Sequence, residues 1–284
     1  MAQFTNRATL RIGDTQINSN VAVGEIVEVL TASKTAVVDT YGRFDSISYV
    51  VSIINSGENA VTGINVVDNL GEYTDGENTF VPLDYLEGSL LYYVNGVLQP
   101  DPAVSATSPL TITGLSLPAG SNALIIYNVR AGEFAPLDVG ASITNRVTVE
   151  GGGIATPIIA EETVTARSEP ELSITKSISP IPVSDNGRLT YTFTIQNSGN
   201  TPAVATDDIV LTDLFDPLLT NLAVSYNGVV WAEGVNYTYD EQSGLFETAA
   251  SQITVPAASY TRDPDTGAVI LTPGVSVLTV TGTV

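Results

Sequence analysis

The chain has no cysteine and no histidine, and only 10 of its 284 residues are lysine or arginine. Without cysteine there is no disulfide and no thiolate nucleophile; without histidine there is no imidazole base and the commonest transition-metal ligand is missing. Ser-His-Asp and Cys-His enzymes are excluded, and neither a metal nor any other cofactor is expected. Against those 10 cations stand 31 Asp and Glu, a formal net charge of -21. Such a charge repels phosphate backbones and anionic lipids, which argues against nucleic-acid partners and membrane-surface binding. Also lacking are an apolar run of bilayer length and, at the start, a basic segment leading into an apolar one. An exported protein is then expected to have shed its leader or to leave by another route.

What is present is alternation. SISYVVSII (46–54), LTYTFTI (189–195) and VSVLTVTGTV (275–284) each place apolar residues at every second position, the period of a half-buried strand. Gly and Asn punctuate these runs, and none has a helical period, so the spacing predicts an all-β chain. With 43% hydrophobic residues over this length, disorder is excluded and two cores are expected.

Self-comparison divides the chain. INSGENA (54–60) matches QNSGNTP (196–202), YYVNGVL (92–98) matches VSYNGVV (224–230), and VVDNL (66–70) meets LTDLF (211–215). The pattern predicts two tandem immunoglobulin-like Greek-key sandwiches, residues 31–167 and 168–284. The copies are unequal. In the first, NALIIYNV (122–129) is followed by ITNRVTV (143–149) and AEETVTAR (160–167); in the second, the matching run is the last in the sequence. The missing piece stands at the other end, because FTNRATL (4–10) nearly repeats ITNRVTV and residues 4–30 align with 143–172.

Residues 143–167 finish the first sandwich and lead into the second, so by the same geometry residues 4–28 finish a sandwich that precedes the first. The expected candidate is the second sandwich of another copy of the chain. Residues 1–30 then form a donor extension that adds strands to an open sheet edge, with Phe4, Ala8 and Leu10 as anchors. Head-to-tail repetition of such a contact gives an open filament unless it closes into a ring. Pairing of the segment within its own chain is the alternative. Anchors of this kind supply about 5 to 7 kcal/mol, against an association cost of about 4 to 15 kcal/mol, so the strand ladder or a covalent bond must add the rest.

The sequence contains two lysines, Lys34 and Lys176, at the same place in the two copies. Lys34 shares a strand face with Leu30, Ala32 and Ala36, and Lys176 with Leu172, Ile174 and Ile178, so both are expected to point inward. Asp68 lies in phase with Val66 and Leu70, and Asp213 with Leu211 and Phe215. Asn145 shares a face with Ile143, Val147 and Val149, and Asn6 with Phe4, Ala8 and Leu10. Each complete sandwich is thus expected to bury one Lys, one Asp and one Asn. Desolvation favours a neutral amine beside a protonated carboxyl. The amine is then able to attack the Asn carboxamide and expel ammonia, leaving an isopeptide bond, with Asp68 or Asp213 as the acid. A buried ion pair with Asn as a supporting hydrogen-bond partner is the plainer reading of the same residues.

At LSITKSISP (172–180), LTYTFTIQNSGN (189–200), the Asp213 strand and the ITN and FTN strands, the chain resembles the immunoglobulin-like repeat of bacterial surface proteins known as domain of unknown function eleven. The Lys, Asp, Asn order is similar to that of the isopeptide-forming domains of Gram-positive adhesins and pilins. The resemblance implies an extracellular appendage protein, on a cell or spore surface. It implies an intramolecular Lys34–Asn145 crosslink with Asp68, and an intermolecular Lys176–Asn6 crosslink with Asp213. No sorting motif or membrane tail follows, so sortase attachment is not expected.

Three weaker patterns complete the reading. RDPDTGAV (262–269) carries a carboxylate spacing seen in calcium loops but reads more simply as a turn. Trp231 and NYTYDEQSGLF (236–246) make either a ligand face, which would suit a monomeric adhesin or stalk module, or cross-strand core pairs. NYT (236–238) fits a glycosylation sequon.

Overall fold

The computed structural model describes residues 2–26 and 28–284, and among them regular structure is strand apart from one short 3-10 turn, Ala205–Asp207. The chain divides into two compact units. One contains the chain up to Ala135 together with Ser142–Thr165; the other contains Pro136–Ala141 and Ala166–Val284.

In the first unit, one sheet runs Val97–Leu98, Leu91–Val94, Asn122–Ala131, Ser46–Asn55, Leu30–Ala36, with Leu83–Tyr85 also pairing the long Asn122–Ala131 strand. The other runs Ala103–Thr107, Leu110–Leu117, Val61–Asp68, Ser142–Gly151, Ile158–Ala166, Thr40–Tyr41. The alternating run at 46–54 shows why these strands form. Ile47, Tyr49, Val51 and Ile53 are fully buried, while the residues between them stay at the less buried face. Ile64, Val66, Ile143, Val147 and Val149 supply the opposing layer. The register sets Val147 against Asp68, so Asn145 lies two positions further along the neighbouring strand, on the same face.

In the second unit, a five-stranded sheet runs Leu172–Ser179, Arg188–Asn197, Gly274–Thr283, Thr220–Tyr226, Val229–Trp231. A three-stranded sheet runs Thr212–Leu214, Leu245–Thr248, Tyr237–Tyr239. The core is aromatic: Phe215 stacks on Tyr191 at 4.8 Å and tilts against Phe246 at 5.6 Å. Trp231 and Tyr237 belong to this core, Trp231 stacked on Tyr226 at 4.9 Å and Tyr237 against Phe246 at 5.3 Å. The aromatic ligand face is therefore not formed by these residues; burial of their large apolar area in the core wins.

The first strands of the chain build a separate hairpin. Ala2–Asn6 pairs Ala22–Ile26, with Phe4 opposite Gly24 and Asn6 opposite Ala22; Thr9–Ile12 pairs Thr15–Asn18, turning at Gly13 (φ +57°). Neither ladder joins a larger sheet. Phe4, Leu10, Ile12 and Val23 are more than half exposed. The Phe4 ring lies over Gly24, where a Cβ would come within 2.3 Å of it.

Candidate crosslinking sites

In the first unit the Lys34 ammonium is buried beside Asp68, with both side chains almost wholly removed from solvent. Asp68 Oδ2 meets both the Lys34 ammonium and the Tyr127 hydroxyl, and Oδ1 accepts the Leu70 N–H at 2.7 Å. The backbone shapes this cradle. Leu70 (φ +54°) and Gly71 (φ +74°) are consecutive left-handed residues at the end of the Asp68 strand, a conformation costly for leucine and free for glycine. The bend turns the Leu70 N–H to Asp68 and the Gly71 N–H to Asn145 Oδ1, at 3.2 Å; Gly71 N–H is shared with Asn69 Oδ1 at 3.1 Å. No larger residue fits at 71, since a Cβ would stand 2.4 Å from Ile143.

Lys34 Nζ also sits 4.4 Å from the centroid of the Tyr49 ring. Burial pulls the Lys34 pKa down to about 8, the Asp68 charge opposing that fall only in part. Burial pushes the Tyr49 and Tyr127 hydroxyls up, reinforced by Asp68, while the Asn145 carboxamide beside both acts in the opposite direction. Asn145 Nδ2 is buried without a hydrogen-bond partner, as is the Tyr49 hydroxyl. Lys34 and Asp68 are thus buried against Tyr49 and Tyr127, the two tyrosines that Asn145 adjoins, with the Asn145 carbonyl accepting from Gly71 and its amide nitrogen without a well-aligned partner.

The second unit repeats half of this arrangement. Lys176 pairs with Asp213, and its ammonium lies 4.3 Å from the Tyr191 ring. Registers make the two sites equivalent: Lys34 opposes Val51, two residues from Tyr49, and Lys176 opposes Phe193, two residues from Tyr191. Solvent separates them. The Lys176 side chain is 39% exposed and Asp213 17%, against 0% and 1% for Lys34 and Asp68. Asp213 Oδ2 has no well-aligned donor, so its contact with Lys176 is an ion pair without hydrogen-bond geometry.

The exposure has a topological cause. The Asp68 strand is flanked on both sides, by Leu110–Leu117 and by Ser142–Gly151, whereas Thr212–Leu214 has a neighbour, Leu245–Thr248, on one side alone among the described residues. Along that free edge runs an open groove of about 410 Å³ lined by Leu172, Ile174, Ile195, Ile209, Leu211 and Ile253. In the first unit the tip of the Ser142–Ala166 hairpin, with Ile154 and Ile158, packs against Leu30 and Val61 and leaves about 80 Å³. Asn6, Phe4, Ala8 and Leu10 all lie exposed on the amino-terminal hairpin.

Sequence reasoning did not single out Tyr49, Tyr127 or Gly71. Phase alone marks both tyrosines as inward, but only the register reveals that Tyr127 opposes Tyr49 while Val280 opposes Tyr191. At the remaining pattern, Asp263 accepts the N–H groups of Asp265 and Thr266 at 2.9 and 2.8 Å, closing the turn between Ser259–Arg262 and Val269–Thr272.

No protein-family model matches the chain, so the repeat family named above is not assigned, and no curated protein matches it. Similar solved structures include the pilus backbone RrgB of Streptococcus pneumoniae, 13% identical over 86% of this chain and 55% of that one, with a TM-score of 0.35. The major pilin subunit BcpA of Bacillus cereus is 11% identical over 95% and 73% of the two chains, with a TM-score of 0.35. The major pilin SpaD of Corynebacterium diphtheriae is 13% identical over 86% and 59%, also with a TM-score of 0.35. The chain spans about half the length of the two streptococcal backbone chains it matches, 55% and 45%. At these scores the likeness carries no argument about role, and no helix of the described residues is long and apolar enough to cross a membrane.

Proposed function

We propose that the chain is a structural subunit of an extracellular filament that polymerises head to tail, the hairpin 2–26 of one copy filling the open edge of the second sandwich of the next. One observation carries the reading: Thr212–Leu214 lacks a neighbour, among the described residues, on the side where the first unit has the Ser142–Ala166 hairpin, and residues 2–26 form an antiparallel hairpin whose first strand nearly repeats the sequence of Ser142–Gly151. The two hairpins differ in register: Phe4 opposes Gly24 in a ladder that breaks before Thr9–Ile12, whereas Ile143 opposes Val164 in one unbroken ladder. Seated in the same way beside Thr212–Leu214, the donor sets Phe4 where Ile143 stands and Asn6 where Asn145 stands. Added-strand pairing supplies the main-chain bonds, and the groove at Leu172, Ile174 and Leu211 takes the alternate side chains.

The same placement brings Asn6 to Lys176 and Asp213 and excludes water from them. The joint is then sealed by an isopeptide bond between Lys176 and Asn6, as the first sandwich is by one between Lys34 and Asn145. Each bond forms once, with loss of one ammonia.

Denaturing electrophoresis of the assembled protein after boiling, beside Lys176→Ala, tests this. A ladder that collapses in the variant, with a Lys176–Asn6 peptide short of one ammonia in the wild type, is the expected result. Monomers alone from verified filaments would remove the covalent joint and keep strand donation. Absence of filaments at high concentration would overturn the assembly reading.

A further inference from the structure

Resting on the isopeptide reading above, we propose that the Tyr127 hydroxyl is a catalytic group of the first sandwich, carrying a proton from Asp68 to the leaving nitrogen of Asn145 while the Gly71 N–H holds the carbonyl oxygen. Three observations converge. Tyr127 is fully buried and bonds the same Asp68 oxygen that meets Lys34. The second oxygen is already held by Leu70, so the carboxyl is fixed with that shared oxygen as its exchange point. Asn145 Nδ2, the atom that must collect a proton to depart, is buried and unpartnered beside the tyrosine.

The step balances. Lys34 passes a proton to Asp68 Oδ2, and the freed amine attacks Asn145 Cγ, forming the Nζ–Cγ bond and moving an electron pair onto Oδ1, next to the Gly71 N–H. Tyr127 gives its hydroxyl proton to Nδ2 and recovers one from Asp68. The carbonyl re-forms, the Cγ–Nδ2 bond breaks and ammonia leaves. The remaining excess proton on Nζ returns to Asp68, which ends protonated beside the new amide. In the second sandwich Val280 takes the register position of Tyr127, so that centre has no such relay and Asp213 must serve the leaving group directly.

The test follows bond formation in the full chain during cell-free synthesis, with acid-quenched samples read by peptide mass for the Lys34–Asn145 product. Tyr127→Phe is expected to slow the reaction at least about tenfold, general acid catalysis contributing about 10²- to 10⁴-fold. A ring-fluorinated tyrosine at 127 keeps shape and hydrogen bonds and has a more acidic hydroxyl. It is expected to restore most of the rate that Tyr127→Phe loses and to differ from the wild-type rate at a fixed pH, whereas a hydroxyl that only props the Asp68 carboxylate would leave the rate at the wild-type value. Wild-type rate in Tyr127→Phe, or a fluorinated residue that leaves the rate unchanged, overturns the relay and leaves the crosslink standing. Absence from the wild type of a Lys34–Asn145 peptide short of one ammonia overturns both.

Discussion

The two sandwiches hold the same lysine and aspartate at the same strand positions, yet one pair is buried and the other partly exposed. Nothing in the residues of the pairs accounts for this. The difference lies in the two strands beside the aspartate, present in the first unit as Ser142–Gly151 and Ile158–Ala166 and absent in the second among the described residues. Desolvation is thus a property of strand complement. A buried ammonium held against its carboxylate is costly, and chemistry that depends on a neutral amine begins only once the cover is in place. On the proposed reading, the open site waits for its partner and the closed one does not.

The comparison breaks most completely on removal of residues 1–28. Filaments are expected to vanish under electron microscopy while the first sandwich keeps its unfolding transition; filaments that persist would show that another segment covers Thr212–Leu214. Next in size are the aspartates, read by denaturant unfolding of the full chain. Asp68→Ala, made together with Asn145→Ala so that no crosslink masks the effect, leaves Lys34 buried and unpaired and is expected to cost about 3–5 kcal/mol beyond Asn145→Ala alone. Asp213→Ala faces a lysine whose side chain is 39% exposed and is expected to cost less than Asp68→Ala, no more than about 1 kcal/mol in the free subunit. Equal losses would mean that the two sites are equally desolvated.

A smaller effect is expected with pH. The Lys34 pKa lies near 8 in the fold and near 10.5 when unfolded, so between these values the unfolded chain binds more protons and stability rises with pH. For Asn145→Ala the expected slope is at most about 1.4 kcal/mol per pH unit. It reverses above about pH 10, where the buried Tyr41, Tyr49 and Tyr127, all pushed up, hold protons in the fold that the unfolded chain has lost. A flat profile in thermal unfolding from pH 8 to 10 would place Lys34 in contact with water. Smallest in stability is Ile174→Asp. This residue is 54% exposed in the groove, so the monomer is expected to unfold within about 0.5 kcal/mol of wild type, while assembly, followed by light scattering, is lost.

Much of this was legible without coordinates because a strand writes its burial into every second residue. The phase of Leu30, Ala32 and Lys34 turned the lysine inward, and that of Val66, Asp68 and Leu70 turned the aspartate to meet it; both are buried as expected. The phase of Leu172, Ile174 and Lys176 pointed to a covered face as well, and here the chain leaves the face open. Period 2 reports which side a residue takes and is silent on whether anything lies there. The positive φ at Leu70 and the Tyr127 hydroxyl were not legible. One is a backbone bend at a residue type that rarely adopts it, and the other is a contact across two sheets, set by packing rather than by spacing. Trp231 and Tyr237 could be read as surface or core, and the stacked pairs they form decided it.

Lys34 lies in the strand that enters the first sandwich, and Asn145 in the pair of strands that leaves it. With a bond between them, tension applied along a filament runs from residue 34 directly to residue 145. Residues 35–144 would then carry no load, and pulling would not lengthen the unit by unravelling the strands among them. On the proposed reading, the same bond at Lys176 and Asn6 would extend that path across each joint, and the filament would behave as one continuous covalent cord with folded domains hung beside it.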